Sequence, residues 1–212
     1  MIAGVARLAL ALVLLAPLGC TVGEGEGQVE SGHLYVNGCW NGAFKLGPDF
    51  FGANPDQSES LMIRVQRGDN IEDVSDGLIV MVNDLQEIRK HLGEEILVGM
   101  PRGVTPSGVP VVQSEDPPKV SLSLYLHNTC HQQNGTIYSV GGSINFSKLF
   151  SGDLNEGSSE NRHTIAKFDA RFADPRELAE AKDDQAKADV TSKVTGYFDF
   201  FFQRGQPSQP FQ

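Results

Sequence analysis

Hydrophobic and polar positions alternate one for one along much of this chain. Over residues 120–127, Val120, Leu122, Leu124 and Leu126 share one side, while Ser121, Ser123, Tyr125 and His127 share the other. Successive side chains of a strand point to opposite faces, so this run predicts a strand with one face on a core and one toward solvent. Residues 166–172 repeat the pattern, with Lys167, Asp169 and Arg171 alternating against Phe168, Ala170 and Phe172. Near the end, Phe198, Phe200 and Phe202 face one way, and Asp199, Phe201 and Gln203 the other. Shorter apolar alternations at 34–36, 61–65, 78–82 and 144–146 add strand candidates. The dipeptides Asn41-Gly42, Asp76-Gly77, Asn134-Gly135 and Gly141-Gly142 read as turns between them. Many short strands with one polar face predict an all-β fold, an antiparallel two-sheet β-sandwich.

Two segments break the period. Leu85, Ile88 and Leu92 fall on one helical face, with Asp84 placed to cap the start and Gly93 to stop the end. Asp174-Pro175-Arg176-Glu177 is a helix opening, with Pro at the first helical position and Glu three places after the cap. The run it opens, to about residue 188, is mostly charged and alanine-rich, which predicts a solvated surface helix. Residues 101–119 carry five prolines and residues 151–162 are almost wholly polar, so both are expected as long loops.

The start of the chain has a different character. Arg7 precedes an apolar run over 8–18, followed by Gly19-Cys20. Eleven helical residues reach about 16 Å, roughly half a bilayer core, so the run suits a secretion signal and not a membrane span. Leu18-Gly19-Cys20 resembles the lipobox of bacterial lipoproteins, with Pro17 where that motif usually has Leu. The resemblance implies cleavage before Cys20 and lipidation of its thiol, and Thr21 in place of Asp matches the outer-membrane default. Residues 20–32 are rich in Gly and Glu and are expected to form a flexible tether. The predicted organisation is therefore a signal peptide over 1–19, a tether over 20–32 and one domain over 33–212.

Charge narrows the range of partners. The 212 residues carry 17 basic and 27 acidic groups, a net −10. Arg7 is the one charged residue among the first 19, so the remainder stands at −11. This balance argues against nucleic acid, whose phosphates are bound by clustered Lys and Arg. Of three cysteines, lipidation of Cys20 would leave Cys39 and Cys130, a pair that in an oxidising compartment predicts a disulfide. A metal reading would use Cys130 with His127 and His131, but no second ligand pair accompanies them.

No nucleophile elbow, zinc-protease helix, phosphate loop or dinucleotide fingerprint is present. The five histidines, His33, His91, His127, His131 and His163, have no local catalytic partners. The acidic runs 69–76 and 153–157 invite a calcium reading, but the second lacks the closing Glu of an EF-hand loop. No enzyme, cofactor or metal site is expected. Tyr125, Tyr197 and Phe201 lie opposite the aliphatic stripes, where exposed rings could stack on sugar faces, so these three are the candidate ligand-binding residues.

Several segments together resemble a group of uncharacterised secreted lipoproteins common in myxobacteria. They include residues 40–46 (Trp40-Asn41-Gly42-Ala43-Phe44-Lys45-Leu46), 48–53, 63–68 and 75–78. Further on they include 124–130, 142–146 (Gly142-Ser143-Ile144-Asn145-Phe146), and 196–200 with 203–207 and 209–211. The resemblance implies a β-rich envelope protein anchored by lipid, with no catalytic signature. The expected function is that of an outer-membrane lipoprotein acting as a non-enzymatic structural or interaction domain, with an envelope protein or polysaccharide as partner. The alternative is a carbohydrate-binding module, assisted by calcium.

Overall fold

The computed structural model describes residues 25–56, 59–68, 75–101, 118–130 and 135–203. The signal segment, Cys20, His131 and most of the proline-rich segment 101–119 lie outside these residues, as does most of the acidic run 69–76. The chain is mostly β. In order run β1 (Gly25–Val36), β2 (Trp40–Leu46), β3 (Phe50–Asp56), β4 (Ser60–Arg67), β5 (Asp76–Val82), α1 (Leu85–Lys90), β6 (Glu95–Gly99), β7 (Val120–Leu126), β8 (Thr136–Lys148), β9 (His163–Ala173), α2 (Pro175–Glu180), α3 (Asp184–Asp189) and β10 (Ser192–Phe201).

The expected two-sheet sandwich is replaced by one ten-stranded sheet, ordered β2-β1-β10-β9-β8-β6-β7-β5-β4-β3. Nearly every pairing is antiparallel; β6 and β7 run parallel. Two connections require this sheet to curl. Laid flat, ten strands would set β2 and β3 about 43 Å apart, yet only Gly47, Pro48 and Asp49 join them. Four Cα steps reach at most about 15 Å. The Cys39–Cys130 disulfide likewise holds Cα atoms 5.6 Å apart. It joins the β1–β2 turn to the turn after β7, which four strand spacings would separate by about 19 Å in a flat sheet. Period-two alternation is common to sandwiches and curled sheets, so it does not choose between them. The choice falls to strand order and to bends at the register shifts in β1 and β8.

Curling turns one face of every strand inward onto a single core. Val29, Leu61, Ile63, Leu78, Leu122, Phe146, Phe172, Phe198 and Phe200 are buried there, and α1 adds Leu85 and Ile88. Where the edges approach, Phe51 of β3 stacks on Phe200 of β10, ring centroids 5.8 Å apart. This contact explains why residues 25–32, expected as tether, form the first half of β1. Gly25 and Gly27 share the inward side with Val29 while Glu26 and Glu30 face out, and β1 pairs with β10. A Cβ at Gly25 would sit 2.9 Å from the Phe51 ring, and one at Gly27 3.1 Å from it. These glycines leave the space that Phe51 fills, so a composition that reads as flexible serves close packing.

A second junction lies inside the sheet. The first half of β8 pairs with β7 and the second half with β6, which wedges between them. At the fork, buried Ser139 accepts from the Leu122 amide at 2.9 Å and donates to the Gly99 carbonyl at 2.6 Å. One hydroxyl thus satisfies two backbone groups that the parting strands would leave without partners.

The helices follow their caps. Asp84 accepts from the Glu87 amide and opens α1 as predicted. The expected single helix after Pro175 is two short ones, because Ala181 is extended and Asp183 caps a fresh start through the Ala186 amide. The polar segment 151–162 is held by its own side chains. Asp153 accepts from the Asn155 amide and Glu156 from the Ser158 amide, and Arg89 reaches in from α1 to the Leu149 carbonyl and Asn161.

Candidate functional site

The three aromatic candidates do not meet. Tyr125 is buried, 3% exposed, on the outward side of β7, whereas Tyr197 and Phe201, at 38% and 37%, lie on β10 at the far side of β9, β8 and β6. The reason is a glycine. Gly77 of β5 stands opposite Tyr125, and a Cβ there would come within 2.6 Å of the phenol carbon. The ring therefore lies down across the strand instead of standing into solvent. Its hydroxyl donates to Gln66 Oε1 at 2.8 Å, and Gln66 Nε2 donates to the Gly68 carbonyl at 2.8 Å. The Arg64 guanidinium, 5.9 Å from the centroid of the Phe50 ring, completes this side. Burial raises the Tyr125 pKa, against the opposing pull of Arg64. Tyr125 is a structural residue. Tyr125→Phe should cost about 1–2 kcal/mol by removing the donor from buried Gln66, read as a fall in urea midpoint. Tyr197→Phe should change stability by under about 0.5 kcal/mol. Equal effects at the two positions would contradict this assignment.

Asp76, expected in a turn or a calcium loop, opens β5 instead. Its carboxylate accepts from the Asn128 amide at 3.0 Å, the Thr129 amide at 3.0 Å and the Thr129 hydroxyl at 2.7 Å. It shapes the turn that delivers Cys130 to Cys39. Among the described residues no three His, Cys, Asp or Glu side chains are grouped to hold a metal.

The outward face of β1, β10 and β9 has another character. Along β10, Tyr197, Asp199 and Phe201 point out while Phe198 and Phe200 are buried. Register places Gln28 and Lys167 on either side of Tyr197, Glu26 and Ile165 beside Asp199, and His163 beside Phe201. His163 is fixed from two directions. Its Nε2 lies 2.6 Å from Asp199 Oδ1, and its ring stacks on Phe201 with centroids 4.0 Å apart and planes at 17°. The carboxylate thus orients an imidazole that backs one face of the Phe201 ring. Pattern reasoning placed Tyr197 and Phe201 on this side but missed His163 and Asp199. Their pairing depends on β9–β10 register, which no local motif encodes.

Beside this face, β1 and β10 part after the pair Glu30 and Thr195. The Ser31 hydroxyl donates to the Lys193 carbonyl at 2.7 Å and the Tyr35 amide to the Ser192 hydroxyl at 2.8 Å, stapling the gap. An open groove of about 790 Å³ lies there, lined by Glu30, His33, Phe44, Lys193 and Thr195 among others. Lys193 is engaged by Asp169 at 2.9 Å. Of the other histidines, His127 lies against the Tyr125 ring at 5.1 Å. His91 contacts Glu94 at 3.0 Å and Glu87 at 3.2 Å, and these bonds raise its pKa. Comparison of the chain with protein-family profiles, with curated proteins and with solved structures finds no match.

Proposed function

We propose that this chain is an outer-membrane lipoprotein, a non-enzymatic structural or interaction domain held at the cell envelope by a lipid on Cys20. Its recognition surface is the outward face of β1, β10 and β9, and its partner is an envelope protein or polysaccharide. One contrast supports this reading. The inside of the curled sheet is filled by fully buried phenylalanines and aliphatic residues, while Tyr197 and Phe201 are among the few large hydrophobic side chains left exposed in the described residues. A filled interior disfavours an internal ligand carrier, and the exposed rings favour binding on the outside.

The early start of β1 sharpens the geometry of anchoring. Five Cα steps lead from Cys20 to Gly25, so the first strand begins within about 18 Å of an anchored cysteine. The domain would rest close to the membrane, consistent with the resemblance to secreted myxobacterial lipoproteins. Replacing Cys20 with Ala should move the protein from the membrane pellet to the soluble fraction. If both forms partition alike, the anchoring reading is lost.

A further inference from the structure

We propose that the outward strip centred on Tyr197, Asp199 and Phe201 binds an extended neutral glycan chain. This rests on the interaction-domain reading above and names the ligand class of its face. Three features of the strip carry it.

The first is spacing along a straight element. Tyr197 and Phe201 are four residues apart on one side of β10, about 13 Å, so a ligand meeting both rings must be extended. The second is pre-organisation. Phe201 lies flat on His163, whose Nε2 is held 2.6 Å from Asp199. A ring already backed on one face loses little freedom when a ligand covers the other. The third is the balance of groups around the rings. Among the described residues, apolar surface on the strip is confined to the two rings and Ile165, too little for the apolar centre of a protein interface. Gln28, Lys167, Glu26 and Asp199 surround them with hydrogen-bonding groups.

That mixture suits a pyranose chain, which offers C–H faces to stack on rings and hydroxyls to meet carboxylate, amide and ammonium groups. Charge then chooses within this class. Glu26, Glu30, Asp169 and Asp199 outnumber the basic Lys167, Arg171 and Lys193 by one on this face. One of those lysines is already paired with Asp169. An acidic polysaccharide would meet repulsion here, whereas a neutral one would not.

The test is affinity electrophoresis of the full chain in polyoxyethylene detergent, through gels containing glucomannan or, separately, polygalacturonate. Glucomannan should retard the protein and polygalacturonate should not. Tyr197→Ala and Phe201→Ala should each weaken retardation about tenfold, the loss of one well-formed ring contact. Tyr197→Phe, which keeps the ring, should stay within about threefold of the parent. Circular dichroism melting of each variant identifies any loss caused by unfolding, and Tyr197→Ala, at an exposed position, serves if Phe201→Ala does not fold. The proposal is overturned if glucomannan has no effect, if retardation is unchanged in Tyr197→Ala, or if polygalacturonate retards more strongly. A separate arm mixes the Cys20→Ala chain with phosphatidylethanolamine–phosphatidylglycerol vesicles. Sedimentation with vesicles that is lost in Tyr197→Ala would assign the rings to the membrane surface and overturn the glycan assignment. The anchoring reading is judged by fractionation alone, so the two can fail independently.

Discussion

Reducing Cys39–Cys130 should lower the unfolding free energy by about 4–5 kcal/mol, the chain-entropy value for a loop of this length. The two cysteines are 91 residues apart in sequence, so the reduced denatured chain regains the freedom of a very large loop. For an ordinary domain stability of about 5–15 kcal/mol, this is about a quarter of the total or more. The bridge also joins turns that the sheet does not pair directly. The Asp76 carboxylate shapes one of those turns, and Cys130 itself is buried. The measurement is the guanidinium midpoint with and without reductant, repeated on a Cys39→Ala, Cys130→Ala double variant. The variant should match the reduced parent and be insensitive to reductant. Labelling of two thiols in the unreduced protein, with Cys20 replaced, would show that the pairing does not form in solution.

The second large effect is expected at Gly142, where Ala should cost about 3 kcal/mol or more through backbone strain and overlap together. Its φ is 109°, a region L side chains rarely adopt. A Cβ there would sit 2.5 Å from the Ala170 Cα and overlap the Asp169 carbonyl oxygen. Both obstacles are backbone of β9, which cannot retreat without opening its ladders to β8 and β10. Gly32→Ala is the control, since nothing lies within 4 Å of a Cβ at that position. It should change stability by under about 0.5 kcal/mol. Thermal melts of the two variants give the comparison. Similar melting temperatures would mean that β8 does not follow this path in solution.

Gly142 also marks the limit of local reading. Gly141-Gly142 reads as a turn, yet both residues lie within β8, beside its register shift. Asn41-Gly42 lies within β2 and Asp76-Gly77 opens β5. Glycine permits a turn, but it also lets a neighbouring strand or ring approach, and sequence alone does not distinguish these uses. Gly77 makes room for Tyr125 and Gly25 for Phe51. Both partners are distant in sequence. A similar limit hid β2, β3 and β6. Their side chains alternate less cleanly because β2 and β3 are sheet edges and β6 is a five-residue wedge.

What the sequence determined by itself was everything that depends on near neighbours. Period-two alternation set the strands β7, β9 and β10 and the side of each that faces the core. Asp84 and Asp174 set two helix starts, and the count of cysteines pointed to Cys39–Cys130. The outward placement of Tyr197 and Phe201 follows from the same alternation. The tertiary structure decided what depends on partners far along the chain. A three-residue link and a disulfide require one sheet to curl where two stacked sheets were expected. Register then set His163 and Asp199 beside Phe201, and Gly77 laid Tyr125 into a buried contact. Alternation specifies a face and cannot specify a neighbour, because a strand's partners are set by the closure of the whole sheet. The candidate surface was therefore half legible, in its two rings, while the pair that holds one of them in place arose only on folding.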